Sequence, residues 1–516
     1  MDGLGVGKDY AGNAVLHAKT PTLDRLWTRA DKRLLLGASG PDVGLPAGVP
    51  GNSEVGHLNL GAGTVVYQMI STINDSIIDG SFFKSEVLIR MAKDVSQNHR
   101  TLHIMGLLSA SGVHADVRHL FSLMEFCHKN KIDPVFHIIT DGRDTPRFEA
   151  RFYLKKLREK MFQYGMKRIG SVSGRFYAMD RNNAWDRIKL AYDAMVGRSG
   201  LKETEPEVAL EHAYARQEDD ETLTPTIIVD TNGNPVGPVT QNDVVLFFNF
   251  REDRARQITK AFVSPTEKFA EFDRPFVIER FITMSGYEEG LPVDVLFSSK
   301  ENYEPISDTI SKAGKKQFHI AETEKYAHIT FFLNGTVEQA FPNEDREIVP
   351  SPKVSSYDKA PEMSAPEITK KVIRAIESDV YGVIFMNFAN ADMVSHTGDF
   401  EAAKQGVEVV DKSLGKIAEY VLAKDGVLLI TADHGNAEEV VNLQTGDKVK
   451  EHSTNPVPFI IIGNEYKGQA GLAGDPPEGD LSLMTPVGML ADVAPTVLKI
   501  LGIEQPPEMT GQSLLP

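Results

Sequence analysis

Short apolar runs that break off into polar or charged loops recur along this chain, and they constrain its fold more than any other feature. Leu102 to Leu108 leads into Ser111-Gly112-Val113-His114, Val135 to Ile139 into Asp141-Gly142-Arg143-Asp144, and Val244 to Phe248 into Asn249-Phe250-Arg251. Further on, Val383 to Phe388 precedes Asp392, and Val427 to Thr431 precedes Asp433. Runs of this length without polar alternation read as buried parallel strands. Helical patterns lie between them. Val407, Val410, Leu414, Ile417 and Val421 recur at spacings of three and four, and Val493, Val497 and Leu501 share a face between a capping Asp492 and a terminal Gly502. Alternating strands and helices predict an α/β fold with largely parallel sheets. Ligands bind beyond the carboxyl ends of such strands, which is where the polar loops fall.

At 516 residues the chain is too long for one core and predicts two large domains or three small ones. Candidate linkers are Tyr67 to Asn74 and Ser298 to Asn302, with Pro305 shortly after; two hinges there make the middle segment an insertion. No apolar stretch approaches the ~18 residues of a membrane span, and the N-terminus lacks a basic region followed by an apolar one, so a cytoplasmic location is expected. The single Cys127 fits a reducing compartment and a packing role. A net charge of −17 argues against nucleic acid or an anionic membrane as partner. It leaves room for a small anion, because screening confines the global field to roughly 8 Å and a local arginine cluster then decides what binds.

The chemistry concentrates in a few places. Asp392, His396, Asp433, His434 and His452 form a run of carboxylate and imidazole groups without thiolate, which points to Mn²⁺, Co²⁺, catalytic Zn²⁺ or Mg²⁺ rather than a structural zinc. Asp2, followed by Gly3, offers a further carboxylate in a tight turn. Ser53 lies in Gly51-Asn52-Ser53-Glu54-Val55-Gly56-His57; it reads either as a helix cap or as a nucleophile that a metal would activate. Arg143, Arg175, Arg181, Arg251 and Arg254 suit a substrate bearing carboxylate and phosphate, with Arg251 and Arg254 expected on one helical face. Lys325 adds a cation suited to a transferring phosphoryl group.

In their order along the chain, the motifs Gly51 to His57, Asp141 to Thr145, Asn249 to Arg254, Asp392 to Gly398 and Asp433 to Asn436 resemble the 2,3-bisphosphoglycerate-independent phosphoglycerate mutases of the alkaline phosphatase superfamily. The resemblance covers nearly the whole chain. It implies two α/β domains, a metal-binding phosphatase-like domain over 1–68 and 304–516 and an inserted substrate-binding domain over 69–303. It implies interconversion of 3-phosphoglycerate and 2-phosphoglycerate through a phosphoserine at Ser53, without 2,3-bisphosphoglycerate. One divalent ion, Mn²⁺ first among the candidates, is expected on Asp392, His396 and His452, and a second on Asp2, Ser53, Asp433 and His434. His114, Arg143, Asp144, Arg175 and Arg181 are expected to hold the glycerate, and Arg251, Arg254 and Lys325 the phosphoryl group. His114 and Asp144 would handle protons. The expected partner is a small phosphoglycerate, bound by a monomer, with no nucleic acid and no membrane.

In that family a hydrophobic strand leads into the aspartate matching Asp2, whereas here Met1 alone precedes it. The expectation is a sequence that begins too late and a metal-binding domain without one central strand, its neighbours lacking ladder partners. The competing readings are a metal-dependent phosphohydrolase or phosphopentomutase of the same superfamily, and an inactive form that binds metal only.

Overall fold

The structure, a computed structural model, describes residues 1–29, 32–298, 303–442, 444–466 and 481–515. The chain divides into two compact units, Met1–Gln68 with Glu301–Pro516, and Met69–Lys300. Of the two expected linkers, residues 299–302 lie outside the described residues. The other is a linker only at its start, because Met69 opens the helix Met69–Ile78.

Strand β1 (Lys32–Gly37) belongs to the first unit. The second holds β2 (Leu102–Leu107), β3 (Val135–Thr140), β4 (Arg168–Gly174), β5 (Leu201–Glu203), β6 (Thr226–Ile228), β7 (Val244–Phe247), β8 (Arg280–Ser285) and β9 (Asp294–Phe297). The first unit resumes with β10 (Gln317–Glu322), β11 (Glu344–Val349), β12 (Val383–Met386), β13 (Leu428–Thr431), β14 (Val457–Ile462) and β15 (Gly488–Met489).

In the second unit one sheet runs β5-β6-β4-β3-β2-β7-β8-β9, with every neighbouring pair parallel except β4 and β6. β2, β3 and β7 are buried throughout, as largely apolar strands covered on both faces are. Cys127 is buried in the core against these strands, and burial pushes its thiol up to about 12, which leaves it unreactive. One polar line crosses the sheet. His103 on β2 lies 3.3 Å from Asp243, just before β7, and 3.0 Å from His137 on β3, whose other ring nitrogen is 2.8 Å from Ser171 on β4.

The first unit has two sheets, β13-β14-β1-β15 and the all-parallel β11-β10-β12. The helix Phe400–Ala423 buries Val407, Val410, Leu414 and Ile417, with Asp399 accepting from the Ala402 N–H as its cap. In the helix Val493–Leu501 the expected cap is absent: the Asp492 carboxylate accepts instead from the Met489 and Gln512 N–H groups, while Gly502 ends the helix at φ 66°. β13, expected as a buried parallel strand, pairs antiparallel with β14, its one partner among the described residues, and alternates between buried and half-buried. β12 is half-buried along its length and, among the described residues, pairs only with β10. The free edges of β12 and β13 flank an apolar groove of 630 Å³, lined by Ile384, Met386, Leu429, Ile376, Ile417 and Val497 among others. At one end of it Met1 donates its terminal ammonium to the Thr431 carbonyl (2.7 Å) and Asp2 its N–H to the Phe388 carbonyl (3.0 Å). Those two bonds are the only rungs by which the described Met1 and Asp2 backbone meets the carbonyls that follow β12 and those of β13. Among the described residues no helix is long and apolar enough to cross a membrane.

Candidate functional site

In the first unit the chemistry sits where strands end. Lys325 follows β10, Asp392 and His396 follow β12, and Asp433 and His434 follow β13. Ser53 is the first residue of the helix Ser53–Ala62, but the cap is Asn52, whose side chain accepts from the Val55 N–H. The Ser53 hydroxyl is therefore free of capping duty. Glycine lets the segments close up: a Cβ on Gly3, at φ 68°, would lie 2.7 Å from Asp392 Cα, and one on Gly56 2.5 Å from the Asp433 carbonyl.

Asp2, Ser53, Lys325, Asp392, Asp433 and His434 are all buried. Ser53 Oγ donates to Asp2 Oδ1 at 3.0 Å, lies 3.0 Å from His434 Nε2 and accepts from Lys325 Nζ at 2.6 Å. Lys325 Nζ also reaches Asp392 Oδ2 at 2.5 Å and Asp2 Oδ1 at 2.6 Å. His396 Nε2 and His452 Nε2 each lie 3.2 Å from Asp392 Oδ1. The His434 ring stacks on His452 with centroids 3.9 Å apart.

Burial alone would raise the Asp392 and Asp433 carboxyls. The Lys325 ammonium beside Asp392, and His434 with His57 beside Asp433, outweigh it and hold both well below the usual carboxylate range. For His434 burial is again the largest influence and lowers its pKa, yet Asp433, Asp2 and Asp392 together raise it to about 9. The pocket thus carries an excess of negative charge.

Two observations show that this donor set fits metal ions. His396 Nδ1 is 2.6 Å from the Lys450 carbonyl and His452 Nδ1 is 2.8 Å from the Gly51 carbonyl, so both Nδ1 atoms carry hydrogens. Their Nε2 atoms then face each other at 3.1 Å, each beside Asp392 Oδ1, so that either an added proton or a cation must lie among the three, and the set suits a cation. The second observation is Asp433 Oδ2, which is buried without a hydrogen-bond partner. Asp392, His434 and His452 group tightly enough to hold one ion, as do Asp2, His57 and Asp433.

The second unit gathers the remaining expected residues at the carboxyl ends of β2, β3, β4 and β7. Arg175 is buried and donates to Asp141 (2.7 Å) and Asp144 (2.5 Å). His114 lies 3.8 Å from Asp144 and 3.5 Å from Asp253, which also accepts from Arg181 at 2.9 Å and lies 3.4 Å from Arg251. Arg254 donates to the Met179 carbonyl and Arg143 to Glu221. Arg251 and Arg254 do not share a helical face. The helix starts only at Arg256: Arg254 lies in the turn before it, and Arg251 in the irregular segment after β7, where the Phe250 and Arg251 N–H groups donate to the His114 carbonyl. Burial, and then repulsion from Arg175, Arg181 and Arg143, lowers the Arg254 pKa, and the nearby Asp253 offsets this only in part. Burial followed by Arg175 pushes His114 down to about 4.

Several residues of the site carried no distinct signal in the sequence. Asp253 and Asp141 hold the arginines, and each stood inside a motif whose arginines drew the attention. Asn436 donates to Asp392 Oδ1 at 2.9 Å, and its own N–H is fixed by the buried Glu438. Asn387 donates to Asp2 Oδ2, and His57 approaches Asp433 from the face one turn beyond Ser53. Nothing in the sequence marks Asn387, as it closes an apolar run.

Residues 1–505 match the Metalloenzyme superfamily. A 2,3-bisphosphoglycerate-independent phosphoglycerate mutase of Clostridium novyi is 46% identical over 516 residues, covering 100% of this chain and 98% of its own. One from Methanosarcina acetivorans is 46% identical, covering 100% of this chain and 97% of its own. Among solved structures, the phosphoglycerate mutase of Leishmania mexicana, determined at low cobalt concentration, aligns with a TM-score of 0.65 and 32% identity over 99% of this chain and 96% of that one. The motifs, the fold and these full-length similarities together place the chain in the Metalloenzyme superfamily and, within it, in the family of 2,3-bisphosphoglycerate-independent phosphoglycerate mutases.

Proposed function

We propose that the protein is an isomerase that interconverts 3-phosphoglycerate and 2-phosphoglycerate through a phosphoserine at Ser53, with no 2,3-bisphosphoglycerate primer. The observation that carries this reading is the convergence of Asp2, Lys325 and His434 on Ser53 Oγ within hydrogen-bond reach. Two divalent ions, Mn²⁺ by preference for a nitrogen and oxygen donor set, would be held by Asp392, His396 and His452 and by Asp2, Ser53, Asp433 and His434, and would supply Lewis-acid polarisation of phosphoryl oxygens and a lowered pKa at the serine.

Ser53 Oγ passes its proton to Asp2 Oδ1, to which it donates, and attacks phosphorus in line as the bond from phosphorus to the 3-oxygen of glycerate breaks; the proton returns when Ser53 leaves. Lys325, which donates to Ser53 Oγ, balances charge on the phosphoryl oxygens. The released 3-oxygen takes a proton, and His114 and Asp144 are the groups assigned to supply it and later to remove one from the 2-hydroxyl. Arg143, Arg175 and Arg181 retain the glycerate while it turns; Arg251 and Arg254 hold the phosphoryl group before transfer and after return. The 2-oxygen then attacks the phosphoserine, and Ser53 leaves as it began. A hydrolase needs no such retention, and the guanidinium crowding in the second unit favours the mutase over it. A soluble monomer working in the cytoplasm completes the proposal.

Incubating the protein with Mn²⁺ or Co²⁺ and 3-phosphoglycerate, without added bisphosphate, should yield 2-phosphoglycerate and no free phosphate. Release of phosphate alone would replace the mutase by a phosphohydrolase, and no turnover would sink the enzymatic reading.

A further inference from the structure

The group Asp2, His57 and Asp433 has the spacing of a metal site, yet the hydrogen bonds around His57 argue for another role. Its Nδ1 lies 2.9 Å from the Ser53 carbonyl, one helical turn back. A carbonyl only accepts, so Nδ1 carries the hydrogen and Nε2 the lone pair. That lone pair is engaged by Asn387 Nδ2 at 3.1 Å. The same amide nitrogen donates its other hydrogen to Asp2 Oδ2 at 2.8 Å. Nδ1 meanwhile lies 3.1 Å from Asp433 Oδ2, the buried oxygen without a hydrogen-bond partner. His57 thus has no nitrogen left for an ion. With Asn387 it stands behind two carboxylates, in polar contact with Asp433 and linked through the amide hydrogen bonds to Asp2, and all four residues are buried.

We infer that His57 and Asn387 are positioning residues for the second ion, fixing the Asp2 and Asp433 carboxylates at the separation that ion requires while touching neither ion nor substrate. The inference rests on the two-ion reading above. Ligands of this kind are oriented by groups behind them, whose loss typically weakens metal affinity about tenfold to a hundredfold. The Asp392, His396 and His452 set is oriented instead by Asn436 and by the Lys450 and Gly51 carbonyls, so the two ions should respond separately.

The test is Mn²⁺ binding to the full chain, followed by calorimetry and by the electron paramagnetic resonance of bound and free ion, for wild type, His57→Ala and Asn387→Leu. In both variants one ion should bind as in wild type and the other about tenfold or more weakly, while the melting temperature in chelator stays close to wild type. Asn387→Leu separates positioning from ligation, because asparagine here is not a candidate ligand. Loss of the second ion in His57→Ala with full retention in Asn387→Leu would make His57 a ligand and overturn the inference. Wild-type affinities in both variants, or equal weakening of both ions with a lowered melting temperature in chelator, would overturn it too. Wild type binding no Mn²⁺ would overturn the two-ion reading itself, a result distinct from all of these.

Discussion

Ser53 owes its setting to its neighbour, since Asn52 takes the cap and leaves the hydroxyl to face Asp2, His434 and Lys325. Removing that oxygen leaves a small, well-tolerated void and no nucleophile. Ser53→Ala should lower mutase activity by a factor on the order of 10³ or more, with a melting curve close to wild type; retained activity in a coupled assay would remove Ser53 from the chemistry. Asp253 works differently, as the carboxylate between Arg181, Arg251 and His114. In Asp253→Asn the guanidinium groups lose their anchor, so KM for 3-phosphoglycerate should rise about tenfold with a smaller change in kcat. A fall in kcat at constant KM would assign Asp253 to the reaction step instead.

At the scale of elements, periodicity made the helix Phe400–Ala423 legible, and unbroken apolar runs did the same for β2, β3 and β7. The run from Asp392 to His452 stood out because chemistry limits which side chains can hold a metal, and the structure brings Asp392, His434 and His452 together; the arginine motifs stood out because they end strands. What stayed hidden depended on partners distant in sequence. Asp492 looked like a cap until Gln512 claimed its carboxylate, Asn387 looked like the tail of an apolar run, and the antiparallel pairing of β13 is decided by β14. The groove beside β13 carries a prediction of its own. Five or six apolar, β-branched residues placed ahead of Met1 should pair with β12 and β13, bury the apolar lining and raise the melting temperature by several degrees. Equal melting temperatures with and without the extension would show that the groove does not accept a strand.

For the whole molecule, acidity is the condition to vary. Burial holds His114 and His119 down at about 4, and holds His103 and His137 below the ordinary 6.5. Unfolding restores the ordinary value, so between about pH 6.5 and 4 the unfolded chain binds more protons and stability falls as pH falls. For a fully buried imidazole, each tenfold difference in proton affinity between the two states is worth about 1.4 kcal/mol. Asp392 and Asp433, held below 3.8 in the fold, add stability that is present above that value and lost beneath it. His434, raised to about 9, works the other way and gains stability as pH falls, but four lowered imidazoles outweigh it, so the urea midpoint in chelator should be lower at pH 5 than at pH 7.5; a flat or rising profile would mean that they do not. Saturating Mn²⁺ should raise the melting temperature by a few degrees over chelator, since the ion binds only the folded donor set. The open edges of β12 and β13 have a further consequence, this one colloidal. Among the described residues no strand lies on the outer sides of β12 and β13, and such edges beside apolar side chains are a template for a further strand. A charge of −17 repels such encounters at low salt, and as added salt screens that repulsion the protein's solubility comes to depend on whether those edges are covered.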